Sequence, residues 1–250
     1  MSEFRFKKFS VKNEESAMKV NTDGVLLGAA VHLDRGGIRV LDAGTGTGTI
    51  ALMIAQRLEE KNFLEGSVIL GIDIDVHSAK EAAENFLNST WSSHLECRHM
   101  PLKECSGTFD LIVSNPPFYD HTLPNPDSRK NMTRHTVSPE LEGGADSALS
   151  YRTLLEFSAT GLSDGGTLAM ILPADNEIPL RRLAASFGLA LERIMRIRTT
   201  PKKEPSRIIV HLKKNPSTGI VPTEETLTVQ DGGNYTPGYR NLVKDFYLWG

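Results

Sequence analysis

The chain has 250 residues, a formal net charge of −3, 39% hydrophobic residues and 24% charged residues. This composition suits one large α/β domain and argues against a chain that is basic all over. Its apolar runs are far shorter than the roughly 20 residues that cross a bilayer, and Met1–Phe4 lacks the apolar core of a secretory signal. The two cysteines, Cys97 and Cys105, supply neither a disulfide framework nor a zinc site, so we expect a metal-free cytoplasmic protein.

Apolar runs and helical periodicities alternate along the chain, as in repeated strand–helix units. The predicted strands are Ile38–Asp42, Ser67–Asp73, Leu95–His99, Phe109–Ser114, Thr167–Leu172, Leu189–Arg198 and Ile208–Lys213. The predicted helices are Thr49–Leu58, His77–Asn88, Tyr151–Gly161 and Glu177–Ser186. This alternation is typical of a mainly parallel sheet covered by helices on both faces. Leu123–Gly144 is rich in Pro, Asn, Asp and Gly, and a loop of that length in a compact domain is usually functional.

A glycine-rich turn, Asp42-Ala43-Gly44-Thr45-Gly46-Thr47-Gly48, follows the first predicted strand. Glycines let such a turn tighten and bring backbone N–H groups close to a ligand. An acid two residues before Gly44 suits a ligand with a cationic amino-acid head, whereas a pyrophosphate favours a bare helix N-terminus. Asp73 ends the next strand, where such folds place a ribose-binding acid, and Ile74 can cover an adenine. The turn alone also fits a nicotinamide dehydrogenase.

Asn115-Pro116-Pro117-Phe118 follows the fourth predicted strand, at the sheet edge where such folds bind ligands. Two prolines remove two N–H donors, so the backbone carbonyls and the Asn115 side-chain oxygen offer acceptors without competing donors. Such acceptors suit a planar –NH2 group that attacks a methyl donor, and Phe118 can stack on the target ring. The alternative interpretation is that Pro-Pro only ends a strand and that Phe118 lies in the core.

In this order the motifs resemble those of class I S-adenosylmethionine-dependent methyltransferases that modify planar nitrogen through an (Asn/Asp/Ser)-Pro-Pro-(Tyr/Phe/Trp) motif. The N-terminal stretch Phe6-Lys7-x-Phe9-x-Val11, followed by Ala17-Met18-Lys19-Val20-x-Thr22-Asp23-Gly24, narrows the resemblance. So does the tail, Tyr235-Thr236-Pro237-x-Tyr239-Arg240-x-Leu242 with Asp245-Phe246-Tyr247-Leu248. Over nearly its whole length the chain is similar to the bacterial tRNA adenine-N6 methyltransferases that act on adenosine 37 of valine tRNA.

The resemblance implies a Rossmann-like α/β fold with a mostly parallel seven-stranded sheet, in the order 3-2-1-4-5-7-6 with the last strand antiparallel. It implies a single domain over residues 1–250, in which residues 1–30 cap the cofactor and residues 119–147 form a long loop over the active site. The implied catalytic residues are Asn115, Pro116, Pro117 and Phe118. The implied cofactor-binding residues are Lys19, Thr22, Asp23, Asp42, Gly44, Thr45, Gly46, Asp73, Ile74, Met100 and Asn115.

The cofactor would be S-adenosyl-L-methionine. Family members of this type often place an acid against its adenine after the third strand, where this chain has Met100-Pro101. Two basic stretches, near the N-terminus and between Ala190 and Asn215, favour contact with a phosphate backbone, although they are also typical of solvated faces. We expect the tRNA anticodon stem-loop to contact Lys7, Lys8, Arg134, Lys202, Lys203 and Arg207, and we expect a monomer or weak dimer.

Two other functions fit parts of the sequence. A protein-glutamine N5-methyltransferase would also use Asn-Pro-Pro, because a glutamine amide nitrogen is planar, but it would not need the basic stretches. A catalytically silent, cofactor-binding RNA scaffold would need no intact Asn115–Phe118 motif. The motifs together therefore favour transfer of a methyl group to an adenine in tRNA.

Overall fold

The computed structural model describes residues 2–117, 149–215 and 221–249. The strands of the large sheet are β3 (Arg39–Ala43), β4 (Val68–Asp73), β5 (Leu95–His99), β6 (Phe109–Ser114), β7 (Leu162–Pro173), β8 (Leu189–Arg198), β9 (Arg207–Lys214) and β10 (Thr223–Thr228). Two small hairpins are formed by β1 (Glu3–Arg5) with β2 (Ser10–Lys12), and by β11 (Gln230–Asp231) with β12 (Asn234–Tyr235). The helices are α1 (Thr22–Ala30), α2 (Thr49–Glu60), α3 (Val76–Leu87), α4 (Tyr151–Gly161), α5 (Glu177–Ser186) and α6 (Pro237–Val243).

The large sheet has the strand order β10-β8-β9-β7-β6-β3-β4-β5. Strands β3 to β7 pair in parallel, and β9 is antiparallel to both β7 and β8. Without β10, this is the predicted order 3-2-1-4-5-7-6 with an antiparallel last strand, so the Rossmann-like fold is confirmed. Because parallel strands end at one edge, the turns after β3, β4 and β6 meet there.

The predicted number of strands was wrong, because β10 adds an eighth strand parallel to β8. Most of β10 is exposed, so its sequence, Thr-Glu-Glu-Thr-Leu-Thr, lacks the apolar pattern from which buried strands are predicted. Its backbone pairs with β8, and two ion pairs join the same strands, Glu224 to Arg196 at 2.9 Å and Glu225 to Arg193 at 3.3 Å. These pairs also neutralise part of the second basic stretch.

Helices cover both faces of the sheet, as predicted. In β3, Val40 belongs to the core that α1, α2 and α6 bury, and its neighbour Leu41 belongs to the core that α4 and α5 bury. Helix α1 was not predicted as a helix, and it contains two glycines that lower helix propensity. One of them, Gly28, lets α1 approach α2 closely, since a Cβ at this position would lie 2.8 Å from Met53 Sδ. Across the described ranges, no helix combines the length and apolarity needed to span a membrane.

Candidate active site

A cavity of about 370 Å³ opens at the edge where β3, β4 and β6 end. This volume lies within the range of about 300–1,000 Å³ that is usual for small-molecule sites. The predicted residues that line it are Lys19, Gly44, Thr45, Gly46, Asp73, Ile74, Met100, Asn115 and Pro117. Residues that the sequence did not single out also line it, among them Met18, Asn21, Ser78 and Leu149. The fold therefore gathers most of the predicted cofactor residues around one space.

The glycine turn forms one wall with its backbone. Gly44 and Gly46 have φ values of 73° and 56°, a left-handed conformation that favours glycine. The N–H groups of Gly44 and Thr45 both donate to the carbonyl of Ile72 at 2.9 Å, which ties the turn to the end of β4. A Cβ on Gly44 would lie 2.8 Å from Leu149 Cδ2. Gly44 is therefore required for its backbone conformation, and a side chain there would also displace the end of Leu149.

Asp42 lies behind the turn and not on the cavity wall. Its side chain is 0% exposed, and its Oδ2 accepts hydrogen bonds from Thr45 Oγ1 at 2.7 Å and from Ala51 N at 3.2 Å. Burial raises the pKa of Asp42 to about 7. Asp42 was predicted to contact the cofactor, but it does not line the cavity. It stabilises the glycine turn instead, because it is hydrogen-bonded to both Thr45 and the first turn of α2.

Asp73 faces the cavity at the end of β4. Its Oδ2 accepts the N–H of Gly46 and its Oδ1 accepts the N–H of Asp75, both at 2.9 Å. Burial also raises the pKa of this carboxyl group. Each carboxylate oxygen can accept more than one hydrogen bond, so Asp73 keeps acceptor capacity for the two hydroxyls of a ribose. Ile74 and Met100 provide apolar surface beside it.

The side-chain oxygen of Asn115 has no hydrogen-bond partner among the residues that the structure describes. The side chain is 8% exposed, and Nδ2 donates to Asn21 Oδ1 at 3.4 Å and lies 3.7 Å from Met18 Sδ. The oxygen, Oδ1, is buried. Several other buried polar atoms also lack a partner among the described residues, but Oδ1 of Asn115 belongs to a residue that lines the cavity. Pro116 is buried, and Pro117 lines the cavity.

Thr22 and Asp23 begin α1 beside the cavity without lining it. Thr22 is exposed, and Asp23 Oδ2 accepts a hydrogen bond from Arg207 Nε at 2.9 Å. Asn21 precedes them and was missed, although Asn before a helix is a known capping signal. Its Oδ1 accepts the N–H of Gly24 at 2.8 Å and thereby fixes the start of α1. The structure thus places Asn21, and not Thr22 or Asp23, against the cavity.

The predicted RNA-binding residues separate into two places. Lys202, Lys203 and Arg207 lie in or beside the turn between β8 and β9, at the same sheet edge as the cavity. Lys8 instead pairs with Glu60 at 3.0 Å, at the end of α2 away from the glycine turn. Lys7 Nζ donates to the Lys244 carbonyl at 2.7 Å. The 12-residue helix α2 is about 18 Å long, so the two groups are not one patch.

Some predicted features lie outside the described residues: Phe118, Arg134 and the loop 119–147. No group of three or more His, Cys, Asp or Glu residues that could hold a metal ion occurs among the residues described. The cavity residues fit S-adenosylmethionine, because Asp73 suits a ribose diol and the glycine turn suits a ligand that approaches the backbone. Asn115 lines the same cavity as these cofactor residues.

Comparison with solved structures agrees with the fold. A predicted O-methyltransferase from Agrobacterium tumefaciens superimposes with a TM-score of 0.66 at 18% identity, over 90% of this chain and 96% of that one. A 16S rRNA methyltransferase from T. thermophilus, in complex with AdoMet and guanosine, gives a TM-score of 0.54 at 18% identity. That match covers 85% of this chain and 50% of the other. At such identities these structures support the fold alone.

Sequence comparison is more specific. The family described as "Methyltransferase small domain" matches residues 16–144. A tRNA1(Val) (adenine(37)-N6)-methyltransferase from Flavobacterium johnsoniae is 36% identical over 98% of this chain and 99% of its own length. A protein of the same name from Haemophilus influenzae is 34% identical over 99% of both chains. Over its full length, therefore, the chain belongs to the S-adenosylmethionine-dependent tRNA1(Val) (adenine(37)-N6)-methyltransferase family.

Proposed function

We propose that this protein transfers the methyl group of S-adenosylmethionine to N6 of adenine 37 in tRNA1(Val). Full-length similarity to relatives that carry this name supports the proposal. The observation that carries it is the buried Oδ1 of Asn115, which has no hydrogen-bond partner among the described residues and belongs to a residue that lines the same cavity as Asp73. An exocyclic amine has two N–H donors, and one of them can satisfy this oxygen.

Asn115 holds and activates the target amine in this proposal. The lone pair of an exocyclic amine is conjugated with its ring, so the nitrogen is a poor nucleophile. A hydrogen bond to Oδ1 orients the amine, and the adjacent prolines add no N–H donor that would compete for it. S-adenosylmethionine supplies a methyl group on a positively charged sulfur. Phe118 is proposed to stack on the adenine ring.

The remaining cavity residues hold the cofactor in this proposal. Asp73 accepts the ribose hydroxyls, while Ile74 and Met100 pack against the adenine. The methionine end is enclosed by Gly44, Thr45, Gly46 and Lys19. Asp42 stabilises the glycine turn from the side away from the cavity. We further propose that residues 1–250 form one domain in which residues 1–30 cap the cofactor.

The turn between β8 and β9 is proposed to bind tRNA phosphates. Lys202 and Lys203 are exposed in it, and Arg207 follows them at the start of β9. Strand β9 lies two strands from β6, about 10 Å at the usual strand spacing, so a stem-loop whose adenine reaches Asn115 also passes this turn. Unpaired anticodon-loop bases suit such an enzyme because they can leave their stack. Transfer RNA as the substrate places the protein in the cytoplasm.

A labelling experiment tests the proposed function. The protein is incubated with radiolabelled S-adenosylmethionine and unmodified tRNA1(Val), and the digested RNA is analysed for N6-methyladenosine at position 37. A transcript with guanosine at position 37 is the matched control and should stay unlabelled. Absence of label in N6-methyladenosine would overturn the proposal. Label in glutamine after incubation with total protein would favour the protein-glutamine methyltransferase.

A further inference from the structure

Residues 14–20, here called the strap, cross the cavity without helix or strand structure. Ala17, Met18, Lys19 and Val20 line the cavity from this segment. Such a segment has no helix or strand ladder for its backbone N–H groups, so side chains or water accept their hydrogen bonds. The position of the strap therefore depends on those acceptors.

Glu81 of α3 is the main acceptor. Its side chain is 1% exposed, and its Oε2 accepts the N–H groups of Glu14 and Glu15, both at 2.7 Å. Its Oε1 accepts the N–H of Ser16 at 3.1 Å. A buried carboxylate is costly unless it is well hydrogen-bonded, and hydrogen bonds to a charged acceptor are stronger than neutral ones. Three consecutive strap residues are thus held by one side chain.

Ser78 continues this contact one helical turn earlier, on the same face of α3. Its Oγ accepts the N–H of Ala17 at 3.2 Å and donates to Asp75 Oδ2 at 2.7 Å. The N–H of Asp75 in turn donates to Asp73 Oδ1 at 2.9 Å. Hydrogen bonds therefore connect the strap to the carboxylate that we propose for the ribose.

At its other end the strap touches the proposed amine site. Met18 is 39% exposed, and its Sδ lies 3.7 Å from Asn115 Nδ2. Val20 N donates to Oδ1 of Asn13, the residue that precedes the strap, at 3.0 Å. The strap thus spans the cavity from the Asp73 side to the Asn115 side.

We propose that Glu81 is a positioning residue that sets cofactor affinity by holding the strap over the cavity. This inference rests on the proposed function of the cavity as the S-adenosylmethionine site. Glu81 does not line the cavity, so it acts through the backbone of residues 14–16. With the strap held in place, bound cofactor is enclosed. Once the strap is released, the cofactor loses that wall and dissociates faster, while the groups that hold the target amine remain.

The test compares Glu81→Gln with Glu84→Gln. Glutamine replaces one carboxylate oxygen of Glu81 with an NH2 group, which cannot accept a hydrogen bond. Whichever way the amide is oriented, this NH2 faces at least one of the three strap N–H groups. Glu84 lies on the same helix and its carboxylate is hydrogen-bonded to the half-buried Lys12 Nζ at 3.0 Å and not to the strap, so it is the matched control. By calorimetry, Glu81→Gln should raise the Kd for S-adenosylmethionine about tenfold or more, and Glu84→Gln should change it less than about twofold.

Two further measurements separate positioning from a general loss of structure. In Glu81→Gln, amide hydrogens of residues 14–17 should exchange rapidly even with cofactor present, while those of β3 and β6 stay protected. The KM for S-adenosylmethionine should rise by a larger factor than kcat at saturating cofactor falls. A folded Glu81→Gln variant with unchanged Kd and unchanged exchange would overturn the inference.

Ser78→Ala covers the case in which Glu81→Gln does not fold. It removes one acceptor from the strap, so the amide hydrogens of residues 14–17 should exchange faster and the Kd should rise about threefold or more. Because Ser78 also lines the cavity, an unchanged Kd, or a higher Kd with unchanged exchange, would contradict the inference. Failure of the proposed function gives a different result: tRNA1(Val) would stay unlabelled while the effect of Glu81→Gln on the Kd could still be measured, and if the cavity were not the cofactor site the wild-type protein would bind no S-adenosylmethionine.

Discussion

The side-chain amide of Asn115 donates to the Oδ1 of Asn21 across 3.4 Å, and that same oxygen accepts the N–H of Gly24 at 2.8 Å. One acceptor thus both caps α1 and fixes the orientation of the Asn115 amide. Because Nδ2 is engaged, Oδ1 of Asn115 is the atom left for a ligand. The residue that we propose to hold the target amine is therefore oriented by a helix cap that lies 94 positions earlier in the chain.

Asn21→Ala tests this relationship. The substitution removes the helix cap, which should lower the free energy of unfolding by about 1 kcal/mol. It also frees the Asn115 amide to rotate, so kcat should fall about tenfold or more. Asn21→Asp is the control, because its carboxylate still accepts from both Gly24 N and Asn115 Nδ2, and it should keep most of the activity. Wild-type kcat in a folded Asn21→Ala variant would show that the orientation of Asn115 does not depend on Asn21.

Asn115→Ala should abolish methyl transfer while leaving cofactor affinity nearly intact. The variant loses the acceptor for the amine, but Asp73 and the glycine turn remain. The Kd for S-adenosylmethionine, measured by calorimetry, should stay within about tenfold, which corresponds to about 1.4 kcal/mol. If cofactor binding vanished together with activity, Asn115 would belong to the cofactor site instead.

The sequence predicted the parts of the site that follow directly from a strand. Gly44, Asp73 and Asn115 each come just after an apolar run, so the parallel topology brings them to one edge. Asn21, Ser78 and Glu81 were not predicted, because their roles depend on contacts between segments about 60 to 95 positions apart. No local pattern distinguishes a buried Glu81 on a helix from an exposed one.

The pattern of charged residues in the sequence did not predict where those residues lie in the fold. The sequence grouped Lys8 with Lys202, yet the structure puts Lys8 beside Glu60 at the far end of α2. Strand β10 was missed for a related reason, because a mostly exposed edge strand shows no hydrophobic period. Asp42 was predicted to touch the cofactor, but its carboxylate points to Thr45 and Ala51 behind the turn.

The double variant Lys202→Ala/Lys203→Ala should weaken tRNA binding in a salt-dependent way. If each lysine contacts one phosphate, the slope of log K against log salt should decrease in magnitude by about 1.5 to 2. Filter binding at several salt concentrations measures this slope. Lys8→Ala is the control. Lys8 forms an ion pair with Glu60 at the opposite edge of the sheet, so this substitution should leave the slope unchanged. An effect of Lys8→Ala as large as that of the double variant would contradict the proposed surface.

The buried carboxyl group of Asp42 should make stability depend on pH. Its pKa is raised by burial to about 7 from an ordinary value of 3.8, so between these values the folded state binds more protons than the unfolded chain. The free energy of unfolding should therefore decrease as pH rises through this window and level off above it. At about 1.4 kcal/mol for each pKa unit, the decrease is at most about 4 kcal/mol.

Asp42→Asn isolates this contribution, because asparagine has no charge to bury and keeps an oxygen that can accept from Thr45 Oγ1. Other groups also titrate: burial lowers the pKa of His211 to about 3, which makes stability rise with pH, and raises that of Asp73. The difference between wild type and variant removes these shared contributions. Urea unfolding at steps from pH 4.5 to 8 should show wild type losing stability relative to Asp42→Asn as pH rises. If the free energies of unfolding of wild type and Asp42→Asn differed by a constant amount from pH 4.5 to 8, Asp42 would not titrate in this range. Its charge would then be compensated within the turn.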